Sequence, residues 1–361
     1  MKKVRFGIVG TGRISDWVLK GAVLEPRFEA IAVCSRTMEN ASSFAARHSI
    51  PKTYTDLDEM ASNPAIDAIY IGTPNHTHHD LAIRCMNHGK HVLCEKPLAS
   101  NSSEVREMIS AAKANGVFLM EAMISTLSPN FMMVQEKLES LGKVRHYSGT
   151  FCQYSSKYEK LKGILSGEDG SPVPSSFNPD CSGGALMDIG IYPIYPMVTL
   201  FGRPKAVKAD ITSCMVPVRK GMATIDLQGT ALFEYDGMSA SVMYSKITDS
   251  RLETEISCEG GILSMDQIHI TRHVEFIPHG APTSGRASGP ARQDITIPCD
   301  QDEYLCEFKE FIDVLETGGK ESTNNSLDNS LAVAEILDEI RLQGGIVFPA
   351  DRNDFTSPLP L

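Results

Sequence analysis

The sequence predicts an α/β protein of two domains, with a doubly wound parallel sheet first and an α+β domain built on a large, mostly antiparallel sheet after it. Three observations predict this. A glycine-punctuated turn, Gly10-Thr11-Gly12, follows an apolar strand and opens a helix. Strand and helix patterns then alternate through the first third of the chain, the rhythm of a parallel sheet with helical crossovers. After Gly142 the pattern changes to longer β-rich segments joined by hairpin signals such as Tyr235-Asp236-Gly237, as in antiparallel sheets. The boundary is placed between the two patterns, giving domains at 1–122 and 123–361.

Taken in order, the first domain has strands expected at Val4 to Val9, Phe28 to Cys34, Ile66 to Ile71, His91 to Cys94 and Val117 to Met120. Each is a short apolar run bounded by turn residues. Helical patterns fall at Asp16 to Leu24, Met38 to His48, Thr77 to His88 and Ser102 to Asn115. In the second domain strands are expected at Val144 to Phe151, Val207 to Ser213, Gly229 to Tyr235, Met238 to Ser245 and Arg251 to Ser257. Helices at Glu303 to Glu316 and Ser326 to Leu342 precede a Pro-containing tail. The Ser-, Pro- and Gly-rich run from Gly163 to Cys181 reads as a long surface loop. There is no internal repeat.

Composition narrows the function. With 361 residues and 42% hydrophobic content the chain can bury a sizeable core. A net charge of −11 argues against nucleic acid as a general partner. No apolar run is expected to reach membrane-spanning length, and Met1-Lys2-Lys3 passes straight into the first strand, so neither a membrane nor a signal peptide is expected. The nine cysteines show no C-x-x-C pair, the pattern of reduced cytoplasmic thiols.

The glycine turn fits a pyrophosphate. Gly10 permits the tight turn, Gly12 lets the backbone approach the phosphates, and the small Ser15 lets helix and strand pack while the helix N-terminal amides face the anion. Thr11, Arg13 and Ile14 complete the expected contact segment. The second strand ends at Ser35-Arg36, where folds of this kind meet the adenosine ribose. An acid there holds the free 2′-hydroxyl of NAD, whereas Arg36 beside a hydroxyl suits the 2′-phosphate of NADP. Glu29 opens that strand and sits at the wrong edge of the sheet. NADP is therefore the expected cofactor, with NAD as the alternative.

The chain resembles the Gfo/Idh/MocA oxidoreductases over nearly its whole length. The resemblance is carried by the glycine turn, Thr73-Pro74-Asn75-His76-Thr77-His78, Glu95-Lys96-Pro97, and Gly183-Gly184-Ala185-Leu186-Met187-Asp188-Ile189-Gly190-Ile191-Tyr192. It implies an N-terminal Rossmann domain, a C-terminal domain whose open sheet makes a homodimer or homotetramer interface, and NAD(P)-dependent chemistry at a carbinol carbon of a sugar, cyclitol or diol. It also implies a cis Lys96-Pro97 bond, and cofactor contacts from Thr73, Pro74, Asn75, His78, Glu95 and Lys96. Many relatives carry His at the position of Tyr192, whereas the subgroup similar to dimeric dihydrodiol dehydrogenase, glucose-fructose oxidoreductase and some xylose dehydrogenases carries Tyr, as this chain does.

The chemistry follows from the residues as well. Hydride transfer needs a proton to leave or join the substrate oxygen at the same carbon. Lys96 lies just past a strand's carboxyl end, where ligands collect in open α/β sheets. Asp188 and Tyr192, four apart, share a helix face. A phenol with an ordinary pKa of ~10 needs about 3–4 kcal/mol of preferential phenolate stabilisation to act near neutrality. Lys96 and oxidised nicotinamide are the expected sources. Asp188 would oppose that in direct contact, so it is assigned to a substrate hydroxyl and to orienting Lys96.

Other residues carry weaker signals. His76, His78 and His79 lack a matching carboxylate or thiolate at ligand spacing, so no metal is expected. Glu121 is a candidate for the same crevice, and Tyr154, Tyr158 and Asn178 are candidate substrate contacts. Two departures from the resemblance stand out: Ser15 replaces the usual Ala or Gly, and Phe177 to Ser182 lack the Arg or Trp some relatives use near substrate. A cofactor-binding sugar sensor without catalysis would have little use for Lys96, Asp188 and Tyr192 together. A redox-assisted glycosidase that retains NAD fits Arg36 and Tyr192 less well.

Overall fold

The computed structural model describes residues 3–280, 291–299 and 302–351. The chain divides into two compact units, 1–124 with 301–334 and 348–361, and 125–300 with 335–347. The first unit thus takes in helical segments from the far end of the chain.

The first unit contains β1 (Val4–Val9), α1 (Arg13–Ala22), β2 (Phe28–Cys34), α2 (Met38–His48), β3 (Lys52–Tyr54), α3 (Leu57–Ala61), β4 (Ala68–Ile71), α4 (His78–Asn87), β5 (His91–Glu95), α5 (Ser102–Asn115) and β6 (Leu119–Ala122). The strands pair in parallel in the order β3-β2-β1-β4-β5-β6. The order reverses between β1 and β4, the place where open α/β sheets bind ligands. Gly10 leaves the end of β1 there, and Gly72 leaves the end of β4.

β3 and α3 are additions to the sequence expectation. At three and five residues they are too short to show a period. α1 begins three residues earlier than expected, because Gly12 itself is the N-cap. β4 begins later than expected: Asp67, just before it, accepts hydrogen bonds from the Arg5 guanidinium at 2.7 and 2.8 Å.

The second unit contains α6 (Pro129–Leu138), β7 (Val144–Cys152), α7 (Tyr158–Ser166), α8 (Ile191–Phe201), β8 (Ala206–Val218), β9 (Gly221–Glu234), β10 (Ser239–Ser245), β11 (Thr254–Cys258), β12 (Gly261–Met265), β13 (Val274–Ile277) and β14 (Gln293–Asp294). The strands form one sheet, β14-β13-β12-β11-β7-β10-β9-β8, antiparallel except for the β7 and β10 pair. Tyr147, Ala231, Phe233, Ala240, Val242, Tyr244, Ile256 and Leu263 are buried, while Ser148, Leu232, Ser241, Met243 and Glu255, alternating with them, are partly or fully exposed. That is the period-two pattern of a sheet covered on one side.

Two helices follow, α9 (Leu305–Glu316) and α10 (Leu327–Gln343). Phe308 and Phe311 of α9 pack on Phe6, with ring centroids 5.4 and 5.6 Å away, and Phe308 also meets Phe28. They cover one face of the parallel sheet. On the first unit's other core, Ile69, Ile71, Val92 and Leu119 pack with Leu81, Met86, Val105 and Met108 of α4 and α5. The Pro-containing tail from residue 352 lies outside the described residues.

Two expectations are corrected. The run from Gly163 to Cys181 is not simply a surface loop: α7 extends to Ser166, short 3-10 turns form at Ser175–Phe177 and Pro179–Cys181, and Phe177 is fully buried. The stretch Pro179–Phe201 does have the length and apolarity to span a bilayer, but it is interrupted at Ser182–Gly184 and 72% of its most apolar part is buried inside the protein. It is apolar because it lies in the core. All nine cysteines are free thiols.

Candidate active site

In the first unit the glycine turn has the geometry its sequence requires. Gly10 sits at φ +100, and a Cβ there would lie 2.3 Å from Gly72 O, so only glycine lets β1 and β4 leave the sheet this close together. At Gly12 a Cβ would meet nothing within 4 Å, and no side chain caps the helix that Gly12 begins. Open space before an uncapped helix N-terminus fits a pyrophosphate. The Ser15 side chain is buried, its hydroxyl in the volume that a Cβ on Gly72 would take. The Thr11 and Ser35 hydroxyls lie 3.1 Å apart, joining the turn to the end of β2. Arg36 is exposed there, and so is Arg13, whose guanidinium lies 5.8 Å from the Trp17 ring centroid. Ile14 is half-buried.

Lys96 is half-buried on a segment whose neighbours are tied down. The Lys96–Pro97 peptide is cis, as expected. His78 Nδ1 lies 2.9 Å from Pro97 O and Nε2 2.9 Å from Thr73 O. Burial holds the imidazole below its usual pKa, so the neutral ring donates to one of these carbonyls. His78 has no exposed surface and braces the Thr73 turn against Pro97. The same turn is tightened by the Thr73 and Thr77 hydroxyls, 2.7 Å apart, and by Thr77 donating to Pro74 O. Pro74 is exposed and Asn75 half-buried at its rim.

The expectation for Glu121 is corrected. It is 2% exposed and its Oε1 accepts the Leu98 N–H at 2.9 Å, so it fixes the segment after Lys96 instead of opening to a crevice. Burial pushes its carboxyl up to about 7, against hydrogen bonds from Ser330 and Leu98 and the charge of Lys96. Glu95 accepts the Tyr70 hydroxyl at 2.8 Å, and burial pushes its pKa up against the pull of Lys96. The buried Glu307 carboxyl, raised strongly by burial and by Glu95, adds a second acid behind it.

In the second unit the Asp188 and Tyr192 segment is shaped by glycines. Gly184 sits at φ +114, with a Cβ position 2.1 Å from Asp226 Oδ1, and a Cβ on Gly190 would press on the Tyr244 ring at 3.0 Å. Asp226 is buried on β9 and its Oδ2 accepts the Leu186 N–H at 2.6 Å. A carboxylate is well suited to the start of a helix, and burial pushes this one up to about 6. A π-helical turn, Leu186–Gly190, carries Asp188 and runs into α8, which carries Tyr192. Such widened turns are frequent at functional sites.

Asp188 pairs with Lys246, a buried residue that sequence reasoning did not single out. Tyr192 is half-buried, edge-on to Phe151 at 5.5 Å between centroids, and Phe151 stacks on His269 at 4.2 Å. Asp226, Lys246, Phe151 and His269 escaped sequence reading because each reaches this helix from a distant strand or loop. The glycine pair at 183–184 was the one legible sign of a close neighbour.

The candidate substrate residues are less concentrated. Tyr154 is exposed and bonds Glu159, Tyr158 stacks edge-on with Tyr154, and Asn178 accepts the Asp180 N–H at 2.9 Å to cap its own turn. His79 bonds Asp80 and Glu107, and among the described residues no group of three metal-ligating side chains occurs.

Residues 4–123 match the GFO/IDH/MocA oxidoreductase family of NAD-binding Rossmann fold, and residues 133–264 match its C-terminal domain. The chain belongs to this family. It is 42% identical to a scyllo-inositol 2-dehydrogenase (NADP(+)) of Bacillus subtilis over 97% of this chain and 99% of that one. It is 31% identical to a trans-1,2-dihydrobenzene-1,2-diol dehydrogenase of Sus scrofa, again over 97% and 99%. A levoglucosan dehydrogenase solved with NADH and levoglucosan shares the fold, with a TM-score of 0.80 and 21% identity over 95% of this chain and 98% of that one. The chain is accordingly an NAD(P)-dependent oxidoreductase acting on CH–OH groups.

Proposed function

We propose that this Gfo/Idh/MocA oxidoreductase is an NADP-preferring dehydrogenase or reductase of a cyclitol, sugar or trans-dihydrodiol, with Tyr192 as acid/base and Lys96 as its electrostatic partner. When bound, the dinucleotide supplies or accepts the hydride at the carbinol carbon. Gly10, Thr11, Gly12, Arg13 and Ile14 hold its pyrophosphate, Ser35 and Arg36 its adenosine ribose, and Thr73, Pro74, Asn75 and Glu95 the nicotinamide side. Lys96 carries positive charge for the developing alkoxide, and Asp188 accepts a hydrogen bond from a substrate hydroxyl. Tyr192 moves the proton at the reacting oxygen.

One observation carries the cofactor choice: Arg36 is exposed directly after Ser35, whose hydroxyl meets Thr11 of the glycine turn. A guanidinium that follows such hydroxyls in the chain suits a phosphate, which supports the 2′-phosphate of NADP as the group bound there. The substrate class is supported by the relatives, one named for scyllo-inositol and NADP(+) and one for a trans-dihydrodiol.

The experiment is the initial rate with NADP and with NAD on scyllo-inositol, aldoses and trans-dihydrodiols, for the wild type and for Arg36→Ala. The expected result is turnover with lower KM for NADP, and a KM for NADP raised about 10-fold in Arg36→Ala with NAD little changed, the loss of one charge-assisted hydrogen bond. Equal use of both coenzymes by the wild type would overturn the NADP reading, and no turnover of any of these substrates would overturn the proposed substrate class. We also propose a homodimer or homotetramer through the open sheet face, where Leu232 is 59% exposed. Light scattering at a monomer mass would overturn it.

A further inference from the structure

We propose that Lys246 is a positioning residue for the reaction, holding Asp188 as a fixed, ionised acceptor for a substrate hydroxyl while neutralising its charge next to Tyr192. The inference rests on the proposed role of Asp188 and extends it to a residue outside the sequence motifs. Lys246 directly follows β10 and is 3% exposed. Its backbone is locked on both sides, the N–H donating to Leu227 O and the carbonyl accepting from Ser155 N–H, both at 2.9 Å. The side chain is equally committed. Nζ donates to Asp188 Oδ2 and to Ser176 O, the latter at 3.2 Å, and it lies 4.5 Å from the Phe177 ring centroid.

A buried ammonium persists only where it is paired and hydrogen-bonded. Here the pairing is asymmetric. The Lys246 side chain is 4% exposed and that of Asp188 is 38% exposed, so the cation is fixed from inside while the carboxylate keeps surface for a ligand. The fully buried Phe177 and the Ser176 carbonyl, from the short turn Ser175–Phe177, hold the ammonium from another side. The arrangement meets the electrostatic problem raised by the sequence. An unneutralised carboxylate four residues before Tyr192 opposes phenolate formation, and a cation bonded to that carboxylate removes much of the opposition. It also fixes one rotamer of Asp188, which a polyol hydroxyl needs for directional recognition.

The test is a double-mutant cycle on the full-length protein, with Lys246→Met, Asp188→Asn, the double variant, and Lys246→Arg as the conservative rescue. Steady-state kinetics use NADP and the polyol of highest kcat/KM from the panel above, with NADP affinity by fluorescence and circular dichroism for the fold. If Lys246 acts through Asp188, Lys246→Met lowers kcat/KM ~10²-fold with NADP affinity unchanged, and Lys246→Arg recovers most of it. In the Asp188→Asn background the same substitution then changes kcat/KM by no more than about twofold. Losses that multiply, or a Lys246→Met enzyme as active as the wild type, would overturn the proposal while leaving the oxidoreductase reading intact. A wild type that turns over no polyol would overturn both this proposal and the substrate class on which it rests.

Discussion

Lys96 is held by side chains that never reach the surface. His78 bonds the carbonyl of the residue after it, and Glu121 accepts the N–H of the next. A lysine in the catalytic role proposed for Lys96 gains precision from such support, since a shift of about 1 Å in a reacting group is enough to slow a reaction ~10²-fold. The support has a pH signature. Glu121 is raised from 4.5 to about 7 by burial, so the folded state binds its proton more tightly than the unfolded chain does. Its contribution to stability is therefore complete below the ordinary carboxylate range and is lost as pH rises towards and through 7. Glu121→Gln keeps an oxygen for Leu98 N–H and has no charge to bury. Between pH 5 and pH 8 its stability relative to the wild type should rise by roughly 1–3 kcal/mol, read from urea midpoints at the two pH values. A difference that stays constant with pH would count against this role for Glu121.

At the scale of elements, the segment bearing Asp188 and Tyr192 depends on how its helix begins. Asp226 receives the Leu186 N–H, and Gly184 makes room for that carboxylate at a φ that side-chain-bearing residues avoid. Gly184→Ala should cost about 2–3 kcal/mol from backbone strain and the displaced cap, measured by chemical denaturation. A loss under about 0.5 kcal/mol would mean the cap is replaceable.

The same segment marks the limit of what the sequence shows. The glycine turn, Lys96, Asp188 and Tyr192 lie in contiguous motifs, and a contiguous motif carries its spacing in one chain. Lys246 lies 58 residues from Asp188, and Asp226 lies 40 from Leu186. No period links such positions, so tertiary pairing alone reveals them. For the fold, β1, β2, α2 and α5 occur at the expected bounds because each is a full strand or several helical turns. β3, α3 and the short strands β12 to β14 were not legible, being too brief for hydrophobic periodicity to accumulate. The burial of Phe177 was hidden by its Ser- and Pro-rich surroundings.

For the whole molecule, a net charge of −11 sets a repulsive background for an anionic cofactor. The first unit answers it locally, with Arg13 and Arg36 exposed around the glycine turn and an uncapped helix N-terminus beginning at that turn. The second unit contributes the polar group on which the proposed chemistry turns. Its Tyr192 stands on an aromatic wall of Phe151 and His269, and Asp188, on the same helical run, has its charge met by Lys246. The proposed mechanism stands or falls on this tyrosine handling the proton that accompanies hydride transfer. The decisive quantity is kcat for Tyr192→Phe with NADP and the best polyol substrate, beside NADP affinity of the same variant. A fall in kcat of at least ~10²-fold, the usual contribution of a general acid/base, is expected with NADP affinity unchanged. A variant that keeps kcat within about twofold of the wild type would take the proton transfer away from Tyr192.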